Sequence, residues 1–356
     1  MQSMERRNVK NSLSLQLDPS VFELATEEEK LQQEVMGEST TFFKDGIKKL
    51  LKNPLAVFSL VVLSIIIVTI LVAPMVVPYK YSEIISVDGK RDRGAKNLKP
   101  FEYSELEQEY IDNGGEVFPH IFGTDALSRD YFIRVVYGTR VSLSVGLFAS
   151  LIVLVIGLLY GSISGYVGGR ADLIMMRIVD IIYSLPDMLI IILLSVVLDQ
   201  VLQSAGGGLV DRLGSNMISI FLVFGLLYWV GMARLVRGQI LSIKKNEYVL
   251  AAKAVGAKAP RIIRKHILPN SISVIIISTA LQIPSAIFTE SFLSFVGLGV
   301  QAPMPSLGSL ANAAREGLQS YPYKLLFPAT IICLIVLSLN LLGDGMRDAF
   351  DPKLRK

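Results

Sequence analysis

Five stretches of roughly twenty or more residues, Leu55–Val77, Val141–Gly169, Leu213–Ala233, Ile267–Thr289 and Leu325–Gly343, contain no Asp, Glu, Lys or Arg. A sixth, Ile178–Leu198, is interrupted by charge only at Asp180 and Asp187. A hydrocarbon core about 30 Å thick is spanned by roughly 20 helical residues rising about 1.5 Å each. Only helices and closed barrels satisfy every backbone group in lipid, and runs this long and continuously apolar read as helices. The expectation is an all-α membrane protein with six transmembrane helices. With 51% hydrophobic and 19% charged residues and a mean hydropathy of +0.50, an ordinary soluble domain is excluded.

The first run lies behind some fifty polar residues and has no small-residue cleavage signature, so it reads as a retained span rather than a signal peptide. The single cysteine, Cys333, falls inside the last run and excludes a disulfide framework. Orientation is read from Lys and Arg near the ends of spans. Lys44, Lys48, Lys49 and Lys52 precede the first, Arg347, Lys353, Arg355 and Lys356 follow the last, and the segment Arg234 to His266 is strongly basic. All three fall on one side of a six-span chain, which predicts cytoplasmic N- and C-termini. The expected organisation is a cytoplasmic tail at 1–54, flexible or lying on the membrane surface, a first helix at 55–78, an extracellular loop at 79–138, a five-helix core at 139–348 with a cytoplasmic loop at 236–269, and a short tail at 349–356.

That loop carries the most information. Tyr248, Ala252, Val255, Ala259, Ile262 and Ile263 recur at helical spacing, predicting an apolar face among lysines and arginines. Asn246 stands where an N-cap belongs, with Glu247 in the first turn. Gly256 suits a stop, Pro260 the first turn of a second short helix, and Pro269 the start of the next span. Two readings of this helix–bend–helix remain open from pattern alone: a helix lying on anionic lipid, or a docking element for a partner.

Ala251, Ala252, Gly256, Leu268 and Pro269 stand at the spacing of the EAA loop and resemble the coupling loop of ATP-binding-cassette importer permeases. Leu250 replaces the Glu of that motif, and Glu247 lies three residues earlier. Phe122–Asp125, Tyr137–Arg140, Tyr183–Pro186, Glu290–Gly299, Pro305–Gly308 and Asn340–Asp348 are similar to the C-type permeases of oligopeptide, dipeptide and nickel importers. The resemblance implies a type I importer (MetI-like) core in a bacterial cell membrane, importing peptides, with oligopeptides favoured, dipeptides next, and nickel or another small solute open. It implies four kinds of association: a second homologous permease, two cytoplasmic ATPase subunits, an extracellular substrate-binding protein, and membrane lipid, with no nucleic acid. It places Glu247, Tyr248, Ala251, Ala252, Gly256, Arg261, His266 and Pro269 at the ATPase contact.

Other residues admit paired readings. Gly157, Gly161 and Gly165 leave a strip without side chains where another helix can approach, within the chain or across a subunit interface. Asp180 is read as pairing with Arg177 or a loop lysine, or as lining a pathway. Asp187, about a third of the way along its run, is the stronger pathway candidate, because carboxylates within a membrane need water or a partner. Glu290 is expected at the outer interface, at the mouth of the pathway or paired with Arg315. His120 and His266 lack partners at metal-ligand spacing and read as structural or solvated. Gly206–Gly208 lack the following Lys of a phosphate loop, and no G-x-x-x-x-G-K-[ST], HExxH or CxxC sequence occurs. The chain is therefore expected to be non-catalytic and to bind no cofactor, with ATP and Mg used by partner ATPases. The rivals are an ion-driven carrier using midplane carboxylates and a non-transporting membrane scaffold.

Overall fold

A computed structural model describes residues 42–208, 210, 214–300 and 304–350. The chain divides into Met1–Asp45 and Gly46–Lys356; most of the first unit, including the expected tail, and residues 351–356 lie outside the described residues. Helix α1 covers Phe42–Leu50. Asn53 then caps α2 (Pro54–Val76), accepting from the Leu55 N–H at 3.0 Å, and Pro54 sits where no amide donor is needed.

The segment between the first two spans is folded rather than a plain loop. Antiparallel β1 (Ser86–Val87) and β2 (Lys90–Arg91) are joined through Asp88 and Gly89, both with positive φ (49° and 73°), the geometry of a tight hairpin turn. Helix α3 (Glu105–Asp112) opens with a capping box between Ser104 and Glu107.

Helix α4 (Tyr131–Val167) begins ahead of the expected Val141. The charges of Arg134 and Arg140 mask this start in the sequence. In the structure Arg134 is buried, donates to the Tyr81 carbonyl at 3.0 Å and faces Asp125 at 3.4 Å. Asp130 caps the helix through the Ile133 N–H.

The third run differs from expectation. It is not one helix over Ile178–Leu198 but α5 (Gly169–Tyr183) and α6 (Asp187–Ala205), broken at Ser184–Pro186. Pro186 lacks an amide donor and disfavours helical backbone at Leu185, and the helix breaks there and restarts at Asp187. Apolar composition continues across the break and conceals it.

The chain continues through α7 (Ser215–Val223), a π-helical turn at Phe224–Tyr228, and α8 (Trp229–Ile243). Then come α9 (Glu247–Ala254), α10 (Ala259–Ile262), a second π turn at Ile263–Ile267, α11 (Leu268–Val296), α12 (Leu307–Ala313) and α13 (Tyr323–Phe350). Among the described residues six helices are long and apolar enough to cross a membrane: Pro54–Val76, Tyr131–Val167, Asp187–Ala205, Ser215–Ile243, Ala259–Val296 and Tyr323–Phe350.

Helix α4 is the axis of the bundle. Along one face Val153 packs with Met232, Val236 and Ile240 of α8. Toward its other end Val145 and Ala149 meet Ile191 of α6, Ile220 and Phe224. Gly157 faces Met232, Gly161 the Ala233 carbonyl and Val236, and Gly165 Ile240 and Arg237. The glycine strip thus serves helix packing inside the chain. The end of the bundle near α9 is called the loop end below, and the end near the β-hairpin the hairpin end.

Candidate functional site

At the loop end, α9 closes in a Schellman motif. The Ala257 N–H reaches the Ala252 carbonyl at 3.1 Å and the Gly256 N–H the Lys253 carbonyl at 3.0 Å. Gly256 has φ +84°, which an L side chain adopts only under strain. The expected bend is therefore present. Asn246 occupies the N-cap position without capping; its amide instead donates to the Tyr248 hydroxyl at 3.4 Å.

The apolar face falls differently from its predicted arrangement. Val249 turns inward and packs in the cluster of Ile243, Ile262 and Ile267. Tyr248, Leu250 and Val255 point out, Val255 at 89% exposure. The reason is length: eight residues give α9 barely two turns, and one anchor suffices to hold it. Ala251 and Arg261 are exposed, Ala252 half-buried, and the His266 ring lies 6.4 Å from that of Tyr248.

The second arm is not a separate short helix. Through the π turn, where the Leu268 N–H bonds the Ile263 carbonyl five residues back, α10 runs straight into α11. Pro269, exposed, falls in the first turn after this switch of pattern.

Behind the loop, Arg237 grips Asp172 of α5 with two bonds of 2.5 and 2.6 Å, and Lys244 donates to the Gly165 carbonyl at 2.8 Å. Asp180 pairs with Arg234 at 2.7 Å, neither with Arg177 nor with a loop lysine. Arg234 also lies over the Tyr183 ring, 4.3 Å from its centroid.

The break in the third span opens a cavity of about 440 Å³ whose lining includes Tyr183, Pro186, Asp187, Tyr228 and Gly231. Asp187 is the first residue of α6 rather than an interior one, because the helix restarts after Pro186. It is exposed, accepts only its neighbour Met188 N–H at 2.9 Å, and has no ion-pair partner among the described residues. Its depth follows from packing. Val179 of α5 clusters with Ile156, and Ile191 of α6 with Val145 and Ala149. Asp187 thus lies near the middle of α4. The Tyr228 hydroxyl bonds Thr289 at 2.8 Å, joining this cavity to α11.

The next residue of α11, Glu290, departs from expectation. It neither lines an open mouth nor pairs with Arg315, which instead reaches Asn312 and the Phe295 ring. Glu290 is fully buried, accepting from Ser142 and Ser294 at 2.7 Å each and from Ser291 at 3.3 Å. Ser142 also accepts the Leu307 N–H at 3.3 Å. One carboxylate therefore ties α11 to α4 and α12. Serines in otherwise apolar spans were the available signal, but their convergence from two helices is not local.

The sequence also concealed the role of His120. At the hairpin end its Nδ1 bonds Asp130 and its Nε2 bonds Glu107, both at 2.9 Å, with no side chain exposed. The Tyr79 ring stacks on it at 4.9 Å. Burial opposes a charge on the imidazole, but the Asp130 and Glu107 hydrogen bonds outweigh it and push its pKa up to about 9. Asp130 simultaneously caps α4 and Glu107 closes the capping box of α3, so one imidazolium ties the inter-span segment to a span.

A helical bundle with six candidate spans, a folded inter-span segment, a broken span beside a cavity and an exposed bent loop is compatible with a membrane transport component, and the family match assigns the chain to that class. Residues 157–356 match the family described as "Binding-protein-dependent transport system inner membrane component", residues 41–100 match "N-terminal TM domain of oligopeptide transport permease C", and the chain belongs to this permease family. It is 38% identical to the oligopeptide transport system permease protein OppC of Bacillus subtilis (strain 168), over 95% of this chain and 98% of that one. It is 40% identical to the dipeptide transport system permease protein DppC of the same organism, over 94% and 93% of the two chains. To the OppC protein of Haemophilus influenzae it is 38% identical, over 91% and 92%.

Proposed function

We propose that this chain is the peptide-translocating permease subunit of an ATP-driven importer, oligopeptides being the favoured cargo and dipeptides the alternative. The supporting observation is the joint form of the loop end: a short helix anchored only by Val249, a glycine bend, and Tyr248, Leu250 and Val255 left outward among lysines and arginines. Exposed apolar side chains on a short helix flanked by basic segments suit a groove on another protein. The names of the curated relatives favour peptides as cargo.

In this reading α9, with Glu247, Tyr248, Ala251, Ala252, Gly256 and Arg261, seats on cytoplasmic ATPase subunits, His266 and Pro269 set the angle at which α10–α11 leaves it, and both chain termini are cytoplasmic. The 79–138 segment faces outward toward a substrate-binding protein, and a second, homologous permease completes the pathway. ATP and Mg act on the ATPase subunits, whose closure rocks the bundle. Asp187, uncompensated at mid-depth, lines the path and favours passage of cationic groups such as a peptide's ammonium.

Proteoliposomes holding the chain with its ATPases, permease partner and binding protein test the reading. ATP-dependent uptake of short peptides is expected. Val255→Glu should lower uptake at least tenfold while the protein remains membrane-inserted, the size of effect typical of an interface anchor. Uptake without ATP, or none with any peptide by the unmodified complex, would overturn it.

A further inference from the structure

At the hairpin end, where α4 and α13 begin, a second cavity of about 550 Å³ lies between the external segment and the bundle. Three cations line it: Arg129, Arg134 and Lys324. Arg134 and Lys324 are more than nine-tenths buried. Of the two carboxylates lining it, half-buried Asp125 is saturated: its Oδ2 takes the Arg129 guanidinium at 2.7 Å, and its Oδ1 the Leu127 and Arg129 N–H groups.

Arg134 Nε stands 3.4 Å from Asp125, but it is buried and makes no hydrogen bond. Lys324 Nζ has Asn97 Oδ1 at 2.5 Å and the Tyr321 ring at 4.5 Å, and no carboxylate within ion-pair reach among the described residues. Glu316 also lines the cavity and is exposed, and counting it still leaves the cations in excess. Buried charge is stable only when paired. The lining cations outnumber the lining carboxylates, which suits an added anion.

We propose that this cavity is an oxyanion site that takes a phosphate group, supplied by the headgroup of an anionic phospholipid. Two spans end here, the level at which headgroups lie and where tyrosines concentrate. Tyr131 and Tyr321 line it, and exposed Leu127 offers an apolar surface beside the cations. The Arg134 guanidinium and the Lys324 ammonium donate to the phosphate oxygens, while Asp125 holds Arg129 and Arg134 in place. Inorganic phosphate shares the chemistry but lacks the acyl chains.

The test uses the full-length chain in a maltoside detergent, stripped of lipid, with its melting midpoint followed as short-chain phosphatidylglycerol or inorganic phosphate is added. Phosphatidylglycerol at roughly a hundred times its dissociation constant should raise the midpoint by about 3 °C or more. Lys324→Gln should lose at least half of that shift and Lys324→Arg should retain it, which separates ligand binding from a folding defect. Native mass spectrometry should find phosphatidylglycerol retained by the unmodified chain and lost from Lys324→Gln. An equal response to inorganic phosphate would keep the oxyanion site and overturn the lipid as its source. No shift with either ligand, the same shift in Lys324→Gln, or stabilisation only on adding the binding protein, which would mean a protein carboxylate fills the cavity, would overturn the proposal.

Discussion

His120 is the residue whose chemistry is least visible in the sequence and most exposed to pH. Its folded pKa, pushed up to about 9, lies above the ordinary 6.5. The stabilisation it contributes is therefore complete below about 6.5 and lost as pH rises through 9, amounting to roughly 3 kcal/mol. The hydrogen-exchange protection of the 79–130 amides, corrected for the intrinsic rise of exchange with pH, should fall over that window and stay constant across it in His120→Gln. Glu290 is a second such residue. Glu290→Ala leaves Ser142 and Ser294 without their acceptor and should lower stability by about 2–4 kcal/mol, read as loss of folded protein in detergent. Neither pairing was legible: the partners of His120 lie 10 and 13 residues away and those of Glu290 up to 148. Residue type alone announces a charge but not who neutralises it.

At the scale of elements the sequence was more readable. Spacing of Gly157, Gly161 and Gly165 announced a close helix approach, and α8 occupies it. A Cβ at Gly161 would collide with the Ala233 backbone carbonyl, whereas at Gly231 it meets nothing within 4 Å. Gly161→Val should therefore cost about 1–3 kcal/mol and reduce the folded yield, while Gly231→Ala should leave it unchanged. The helix–bend–helix at Gly256 was legible because glycine and proline punctuate chains locally. The side of α9 that faces inward was not, since a helix of eight residues presents nearly as much apolar pattern on either flank. The break before Asp187 lay in plain view as Pro186, yet continuous hydrophobicity argued for an unbroken span. Gly256→Val, forced into positive φ, should displace α9 and uncouple ATP hydrolysis from uptake, measured as hydrolysis without transport.

For the whole molecule, the spans divide into two kinds. Tyr131–Val167, Ser215–Ile243 and Ala259–Val296 are 39%, 44% and 33% buried over their most apolar windows, whereas Asp187–Ala205, Pro54–Val76 and Tyr323–Phe350 are 11–17% buried. The first three form the chain's own core and the others face lipid or further protein. A pathway between two such subunits would bring the α6 side, with Asp187, to the shared face. Asp187→Asn should reduce import of free-amino peptides at least several-fold more than import of N-acetylated ones; an equal loss for both would point to a packing role. Span count and family were legible because twenty-residue apolar runs and short ordered motifs survive without tertiary information. Which spans turn toward a partner was not, since lipid and protein demand the same side chains.

The helix from Ala259 to Val296 has 38 residues, about 57 Å of rise, nearly twice the thickness of the hydrocarbon it crosses. It begins beside the bent loop and ends past the buried Glu290. A rod of that length needs no relay of side chains to carry a signal: tilting its loop end by a few degrees swings its far end by several ångströms. The π turn at Ile263–Ile267 sits close to the loop end of that rod, a surplus residue taken up without breaking the continuous helix.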